Sequence, residues 1–487
     1  MPVPVTRLPL RLTPDPERVI TRFFCPGDTK RVRGIIDRLL TFPEAQIETL
    51  LAELERGFRG QNPDLLEFFA DHYEQIRGTI PAGIGLSRAR QLVIGACFTM
   101  DYALESVALF NPSIVPGLTQ EGVPPGAIRF LMSLRATGEG GISSIVFRTG
   151  VIDAAGDVRL DAPGTYSKPL KATVPDRFRK ATFRRDLAAL GAPEGHFESI
   201  LARLGDDFTR SQLGEAIDMV RRDQATSGFL EESADTLISL SRVNYRLHLP
   251  DALPALREVE IVIFPFSDIE RHGIEDLRLV RFTDDDGTHV NYGTFTAFDG
   301  GRIFPKLLEY RGGDTIDISL ITGDCAKNKG MALFPRRVRG KYAMISRIDN
   351  ENLYYMESDD ILAWGQAQLI QVPKFAWQVI QIGNCGSPIE TEDGWLLMTH
   401  GVGPMRQYCI GATLLDRDDP WRVIGQTREP LLIPNDEERS GYVPNVVYSC
   451  GAMVHNGMLI VPYAMSDLAT SVARIDLGAL LASLEES

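Results

Sequence analysis

One pattern recurs five times along this chain: a glycine-centred turn, an apolar strand, a polar tip and a second apolar strand. It stands at Gly126 (GAIRFLMSLRATGEGGISSIVFRTG), Thr288 (THVNYGTFTAFDGG), Gly340 (GKYAMISRIDNENLYYMES), Gly394 (GWLLMTHGVGPMRQYCIGATLLD) and Gly457 (GMLIVPYAMSDLATSVARIDL). Self-similarity at roughly 50 to 60 residues is the mark of a repeated supersecondary unit. A small antiparallel sheet cannot bury both of its faces alone, whereas sheets stacked round an axis cover one another. The pattern therefore predicts a mainly β fold built of propeller blades, with five copies visible.

Two stretches do not fit it. Ile47, Leu50, Leu51 and Leu54 fall on one helical face, and Leu65, Leu66, Phe69, Tyr73 and Ile76 repeat that spacing. A third helix is expected from the N-cap Ser87 to about Leu109. Pro175 to Leu247 reads as helix again and separates the first copy from the second. The expected division is an N-terminal helical region, 1–105, and a propeller, 106–487, with a helical insertion at about 174–247 between the first and second blades. Both helical parts have apolar faces to cover, so the insertion is expected to pack with the N-terminal helices.

Charge narrows the partners. The 487 residues hold 51 Lys and Arg against 65 Asp and Glu, a net charge of −14. Such a surface repels phosphate backbones and anionic lipid, which argues against nucleic acid and membranes. The six cysteines are scattered, with no C-x-x-C pair, and are expected as buried reduced thiols. The start lacks a basic segment followed by an apolar core, and Leu92 to Phe110 is interrupted by Asp101 and Glu105. A cytoplasmic location is the resulting expectation. The histidines show no i, i+4 pair, so neither a metal site nor a metal cofactor is expected.

A propeller brings the innermost strands to one channel, so polar residues at equivalent ends converge there from distant points of the sequence. GIEDLR, Gly273 to Arg278, sets Glu275 and Asp276 side by side before an apolar strand. A carboxyl kept protonated there by burial and an acidic neighbour suits a general acid; a solvated turn with two acids is the plainer reading. Lys329 in NKGMALFP, Arg347 in SRIDN and His400 in LLMTHGV come from neighbouring copies, with Tyr408 a short distance on. Together the first three form a cationic cluster suited to a small anion such as phosphate. Singly, each also reads as surface charge, a structural ion pair or a core imidazole.

These segments, with NPSIV at Asn111, SLRATGEGGISS around Arg135, GNCGSPIETEDGWLLMTHGV at Gly383, VPNVVYSCGA from Val443 and PYAMSD ending at Asp467, resemble glycoside hydrolase family 130, the inverting β-mannoside phosphorylases and related β-mannosidases. The resemblance runs in order from about residue 106 to the C-terminus, omitting the insertion. It implies a five-bladed β-propeller and reversible phosphorolysis of a mannosyl disaccharide or short oligosaccharide, with inorganic phosphate as co-substrate and no other cofactor. Asp276 matches the family's general acid, which protonates the glycosidic oxygen through the 3-hydroxyl of the −1 mannose. Phosphate then attacks the anomeric carbon from the opposite face and gives α-mannose 1-phosphate. Lys329, Arg347, His400 and Tyr408 match the phosphate cradle; Asn111, Arg135, Arg278 and Asp467 match substrate-binding positions. Leu277 stands where the family motif usually has Pro, a departure that bears on linkage preference.

Phosphate is already a nucleophilic anion, so one acid and a basic cluster suffice, whereas inverting hydrolysis needs a second carboxylate to activate water. Two alternatives stay open from the sequence. One is a β-mannosidase on the same scaffold with Glu438 as its base; the other is a non-catalytic carbohydrate-binding propeller. The helical additions either wall off the acceptor subsite or mediate assembly into a homo-oligomer.

Overall fold

The computed structural model describes residues 3–58, 60, 62–81, 83–163, 167–192, 197–223, 228–250 and 261–485. It divides into two compact units: Asp15–Ser106 with Pro163–Pro169, and Met1–Pro14 with Val107–Ala162 and Leu170–Ser487.

In the smaller unit the helices Thr29–Thr41, Glu44–Phe58, Leu65–Ile76 and Arg88–Ala96 bury Val32, Ile36, Ile47, Tyr73, Val93 and Phe98 in a common core. Asp28 and Ser87 cap the first and last of these by accepting from the backbone N–H of Arg31 and Arg90. The helix begun at Ser87 stops at Ala96 rather than near Leu109. Beyond it the chain alternates as the strand Thr99–Glu105, paired with Asp15–Phe23. The apolar run had masked this change of period from 3.6 to 2. Gly95 fits because a Cβ there would collide with the Phe69 carbonyl.

The larger unit is mainly β, and five antiparallel sheets of four to six strands each contain one copy of the recurring pattern. The strand nearest the site lies at one end of the strand order in each sheet: Ala108–Pro116, Ile274–Thr283, Ala332–Leu333, Gln381–Asn384 and Val447–Tyr448. Hydrogen bonds join successive sheets. Leu279 N–H donates to Ser113 Oγ (3.0 Å), and Thr294 Oγ1 to the Met331 carbonyl. Ile382 N–H donates to Glu351 O (2.9 Å), and Tyr408 N–H to Asn445 O (3.1 Å). Leu109 N–H donates to Leu468 O (2.9 Å), linking the first sheet to the last.

The first residues depart from the expected helical N-terminus. Val5–Leu12 is a strand on the outer edge of the last sheet, paired with Ala469–Asp476. Its period-2 pattern is short and rich in exposed arginine, so the neighbouring helical periodicity obscured it.

The insertion holds the helices Lys180–Ala189, Glu198–Leu201, Arg210–Asp223 and Gly228–Leu240. Residues 193–196 and 224–227, within that expected helical stretch, lie outside the described residues. Two short paired strands, Arg177–Arg179 and Asp207–Thr209, launch two of its helices through reciprocal bonds: Lys180 N–H to Asp206 O (2.7 Å) and Arg210 N–H to Asp176 O (3.0 Å). Its apolar faces close on Ile269, Ala297, Phe304 and Leu320 of the second sheet's region. The expectation that the two helical parts cover each other is thus corrected: each buries its stripe inside its own unit.

One buried carboxylate in the insertion carries a pH signature. Asp186 accepts from Asn244 Nδ2 (2.8 Å), but burial pushes its carboxyl up to about 6, against the lowering effects of Asn244 and Arg185. A carboxyl raised in the folded state contributes stability that is present below its unfolded value and lost as pH rises through the folded one. We expect thermal unfolding to show a loss of up to about 3 kcal/mol between pH 4 and pH 8, flattened in Asp186→Asn.

A second buried network aims the site strand. Glu270 is fully buried and accepts from Lys306 Nζ (2.5 Å), Tyr245 OH (3.0 Å) and the backbone N–H groups of Phe266 and Ser267 (2.9 Å each). Gly273 N–H donates to the Glu270 carbonyl (2.7 Å), and at φ 121° Gly273 lies so close to Ser143 that a Cβ would meet its backbone. The turn is fixed just ahead of Ile274–Asp276.

The cysteines carry no disulfide. Cys385, Cys409 and Cys450 are buried, but Cys25 and Cys97 are exposed and Cys325 is half-buried, so the expectation of burial holds for three of the six. No helix among the described residues is long and apolar enough to cross a membrane.

Candidate active site

In a regular strand, consecutive side chains point to opposite faces. The site depends on breaking that rule twice. Between Glu275 and Arg278 the pairing with the next strand advances by two residues (Thr296 to Thr294) while this strand advances by three, which is a β-bulge. The first sheet repeats the device: Phe110 to Ser113 stands opposite Arg135 to Ser133. At the bulges, Asp276 (φ 60°) and Asn111 (φ 50°) are left-handed, a conformation that Asp and Asn tolerate better than most residues. As a result Glu275 and Asp276 both face Arg135. Its Nη2 donates to Glu275 Oε1 (2.7 Å), and its Nη1 lies 3.6 Å from Asp276 Oδ1.

Asp276 is 5% exposed, and Asn111 Nδ2 donates to its Oδ1 (2.6 Å). Arg278 lies just behind, donating to the Asp276 carbonyl (3.0 Å) and to Tyr448 OH (2.6 Å). Burial pushes the Asp276 carboxyl up. The cations Arg135, Lys329 and Arg278, with the Asn111 hydrogen bond, more than offset that and hold it below the usual carboxylate range. The expectation of an acid kept protonated by burial and an acidic neighbour is therefore corrected: the surrounding cations outweigh burial. Glu275 is an ion-pair partner here, bound to Arg135 and to the Lys329 ammonium.

Asp467, also left-handed at φ 49°, behaves in the opposite way. Burial and then the nearby Asp276 charge outweigh Arg135, Arg406 and Lys329, and its carboxyl rises to about 6. Two carboxyls that share cations are thus pushed apart.

Lys329 sits on a tight loop between Asn328 (φ 61°) and Gly330 (φ 92°). A Cβ on Gly330 would stand 3.2 Å from Asn384 Oδ1 and 3.9 Å from Arg347 Cβ, so this loop lies directly over the next group. There Arg347 Nη1 donates to His400 Nε2 (3.1 Å), and His400 Nδ1 donates to the Asn384 carbonyl (3.2 Å). Burial first, then Arg347 and Arg278, push the His400 pKa well below its ordinary value. His400 is neutral, and the cationic cluster expected from three residues is two cations, Arg347 oriented by the imidazole and Lys329 held by Glu275. Tyr408 stacks on that imidazole (5.8 Å, 12°), and Tyr448 meets it edge-on (4.9 Å, 67°).

The structure brings Asn111, Arg135, Asp276, Arg278, Lys329, Arg347, His400 and Tyr408 into one connected neighbourhood, with Asp467 close enough to respond to its charges. Sequence reading missed the positions of Asn384, Ser143 and Tyr448. Ser143 Oγ accepts from Arg135 Nε (2.9 Å). All three lay within or beside quoted segments, but nothing in their spacing distinguished them from strand residues.

Four polar atoms here are buried without a hydrogen-bond partner: Arg347 Nε, Arg278 Nε, Asn111 Oδ1 and Asn384 Oδ1. Orphaned donors and acceptors gathered beside two guanidinium groups form a place for a polar or anionic ligand. No three His, Cys, Asp or Glu side chains among the described residues gather as a metal site would require. Glu438, the base considered for hydrolysis, is engaged by Arg7 Nε and Nη2 (2.9 and 3.2 Å), Tyr463 OH (2.7 Å) and Asn435 N–H (3.0 Å).

A family model described as beta-1,4-mannooligosaccharide phosphorylase matches residues 239–486. A 1,2-beta-oligomannan phosphorylase of Thermoanaerobacter sp. (strain X514) is 32% identical over 250 residues, which span 49% of this chain and 79% of the relative. A beta-1,2-mannobiose phosphorylase of the same organism is 36% identical over 221 residues, 42% of this chain and 68% of that protein. The solved beta-1,2-mannobiose phosphorylase from Listeria innocua, in complex with beta-1,2-mannobiose, aligns over 79% of this chain and 93% of its own, at 18% identity and a TM-score of 0.45.

Proposed function

The chain belongs to glycoside hydrolase family 130, and from that premise we propose that it catalyses reversible, inverting phosphorolysis of β-mannosides. The five sheets are read as blades round one axis, a five-bladed propeller spanning about 106–487 with Val5–Leu12 added to its last blade. The substrate is a mannosyl disaccharide or short oligosaccharide. The observation that carries the reading is the pairing of one buried carboxylate, Asp276, with the buried guanidinium groups of Arg347 and Arg278, whose Nε donors have no hydrogen-bond partner among the described residues.

In this reading Asn111, Arg135, Arg278 and Asp467 seat the −1 mannose against Asp276. Asp276 gives its proton to the 3-hydroxyl, which passes one to the glycosidic oxygen. The bond from the anomeric carbon to that oxygen breaks as a phosphate oxygen bonds to the opposite face. Lys329 and Arg347 hold the phosphate, and Tyr408 keeps His400 in the plane from which it orients Arg347. His400 remains neutral and accepts from Arg347, so it orients that guanidinium without adding a charge that competes for the ligand. The engaged state of Glu438 speaks against hydrolysis using that residue as base, since a water-activating carboxylate needs a free oxygen. The experiment that tests the reading runs the reaction backwards, with mannose 1-phosphate and a panel of acceptor sugars. Disaccharide formation supports it, and its absence across the panel removes it.

The low carboxyl of Asp276 gives the proposal a pH signature. Bound phosphate cancels part of the field of Lys329, and burial then raises the acid toward its working state. Measured at saturating phosphate, the basic limb of the rate profile should lie at higher pH than the one measured at trace phosphate. Coincident limbs would mean that phosphate does not act on Asp276.

A further inference from the structure

We infer that Glu275 is a positioning residue that holds Lys329 before phosphate binds and yields it to phosphate when the anion arrives. The inference rests on the reading of this protein as a phosphate-using enzyme. Glu275 divides its carboxylate between two cations: Oε1 accepts from Arg135 Nη2 (2.7 Å) and Oε2 from the Lys329 ammonium. The bulge at Asp276 makes this division possible by turning two consecutive acids to one side.

The two cations are held very differently. Arg135 is also tied to Ser143 Oγ (2.9 Å), and its guanidinium lies over the Phe110 ring (5.0 Å). Lys329 has Glu275 as its one hydrogen-bond or ion-pair partner among the described residues, and its side chain is one-third exposed. When an anion enters, Lys329 is therefore the cation that moves, and the buried Glu275 carboxylate keeps Arg135. An unpaired buried carboxylate is costly, so the second partner is what lets Glu275 release the first.

Glu275 thus does two opposed things to phosphate. It orients the ammonium, which otherwise samples many rotamers, and it competes with the anion for that ammonium. Glu275→Gln removes the competing charge with little change of shape. We expect calorimetry with inorganic phosphate to show at least about fivefold tighter binding, with kcat lowered and the KM for mannoside within about twofold. Glu275→Asp keeps the charge on a shorter arm and should return phosphate affinity to about the wild-type value while kcat stays low. A residue serving the scaffold alone would lower thermal stability and leave phosphate affinity unchanged or weakened.

Unchanged or weaker phosphate binding in a folded Gln variant that still requires phosphate for turnover overturns the role of Glu275 alone. A wild-type protein that binds no phosphate and turns over without it overturns the phosphorylase reading, and this inference with it. If neither variant folds, Glu275 belongs to the scaffold and the inference is wrong.

Discussion

Asp276→Asn is expected to lower mannoside phosphorolysis by roughly 10³-fold, within the range of about 10²–10⁴ supplied by a positioned general acid. The substitution isolates the proton because so little else changes. Asn adopts the left-handed conformation at φ 60° as readily as Asp does, and its amide oxygen still accepts from Asn111 Nδ2. The cations around it lose an anionic neighbour, but Arg135 keeps Glu275 and Arg278 keeps Tyr448. Circular dichroism and thermal unfolding should therefore show an intact fold. Release of mannose 1-phosphate, followed directly, should all but stop. A variant that retains more than a tenth of the rate would move the acid elsewhere, and Asp467, with its raised carboxyl, would be the residue to examine.

The second large effect falls on phosphate alone. Arg347→Ala removes a buried guanidinium and leaves His400 Nε2 without its donor. Hydrogen bonds to charged groups contribute about 1.5–3 kcal/mol, so the KM for phosphate should rise roughly 10- to 150-fold. The KM for mannoside should change by less than about twofold, because the residues proposed to seat the sugar lie on the other sheets. Arg347→Lys should recover only part of the loss, since an ammonium lacks the fork that serves His400 and a ligand at once. Equal increases for both substrates would show that Arg347 supports the pocket as a whole and not the phosphate.

How much of this was legible in the sequence depended on periodicity. The five-fold recurrence and the helices Glu44–Phe58 and Leu65–Ile76 are written as repeated apolar spacing, which survives any local detail. Where two periods adjoin, reading failed: the helix from Ser87 gives way to a strand within one apolar run, and Val5–Leu12 is a strand whose exposed face is arginine-rich. The residue types of the site were visible, because glycine-bounded acids and bases stood at equivalent points of the copies. Their charge states were not. Whether Asp276 is protonated depends on Arg135 reaching across from another sheet, and whether His400 is charged depends on Arg347 and burial. Those are properties of convergence, which one-dimensional spacing does not contain. Glu275 looked like a neighbour that would raise the acid, and three-dimensional pairing made it the partner of two cations.

The most direct test of the account follows the purified protein with a β-mannobiose or short β-mannan oligosaccharide in the presence and absence of inorganic phosphate, reading the products by phosphorus and proton NMR. Phosphorolysis predicts that turnover requires phosphate and that the first sugar product is the α-anomer of mannose 1-phosphate. Free mannose released at the same rate without phosphate would contradict it.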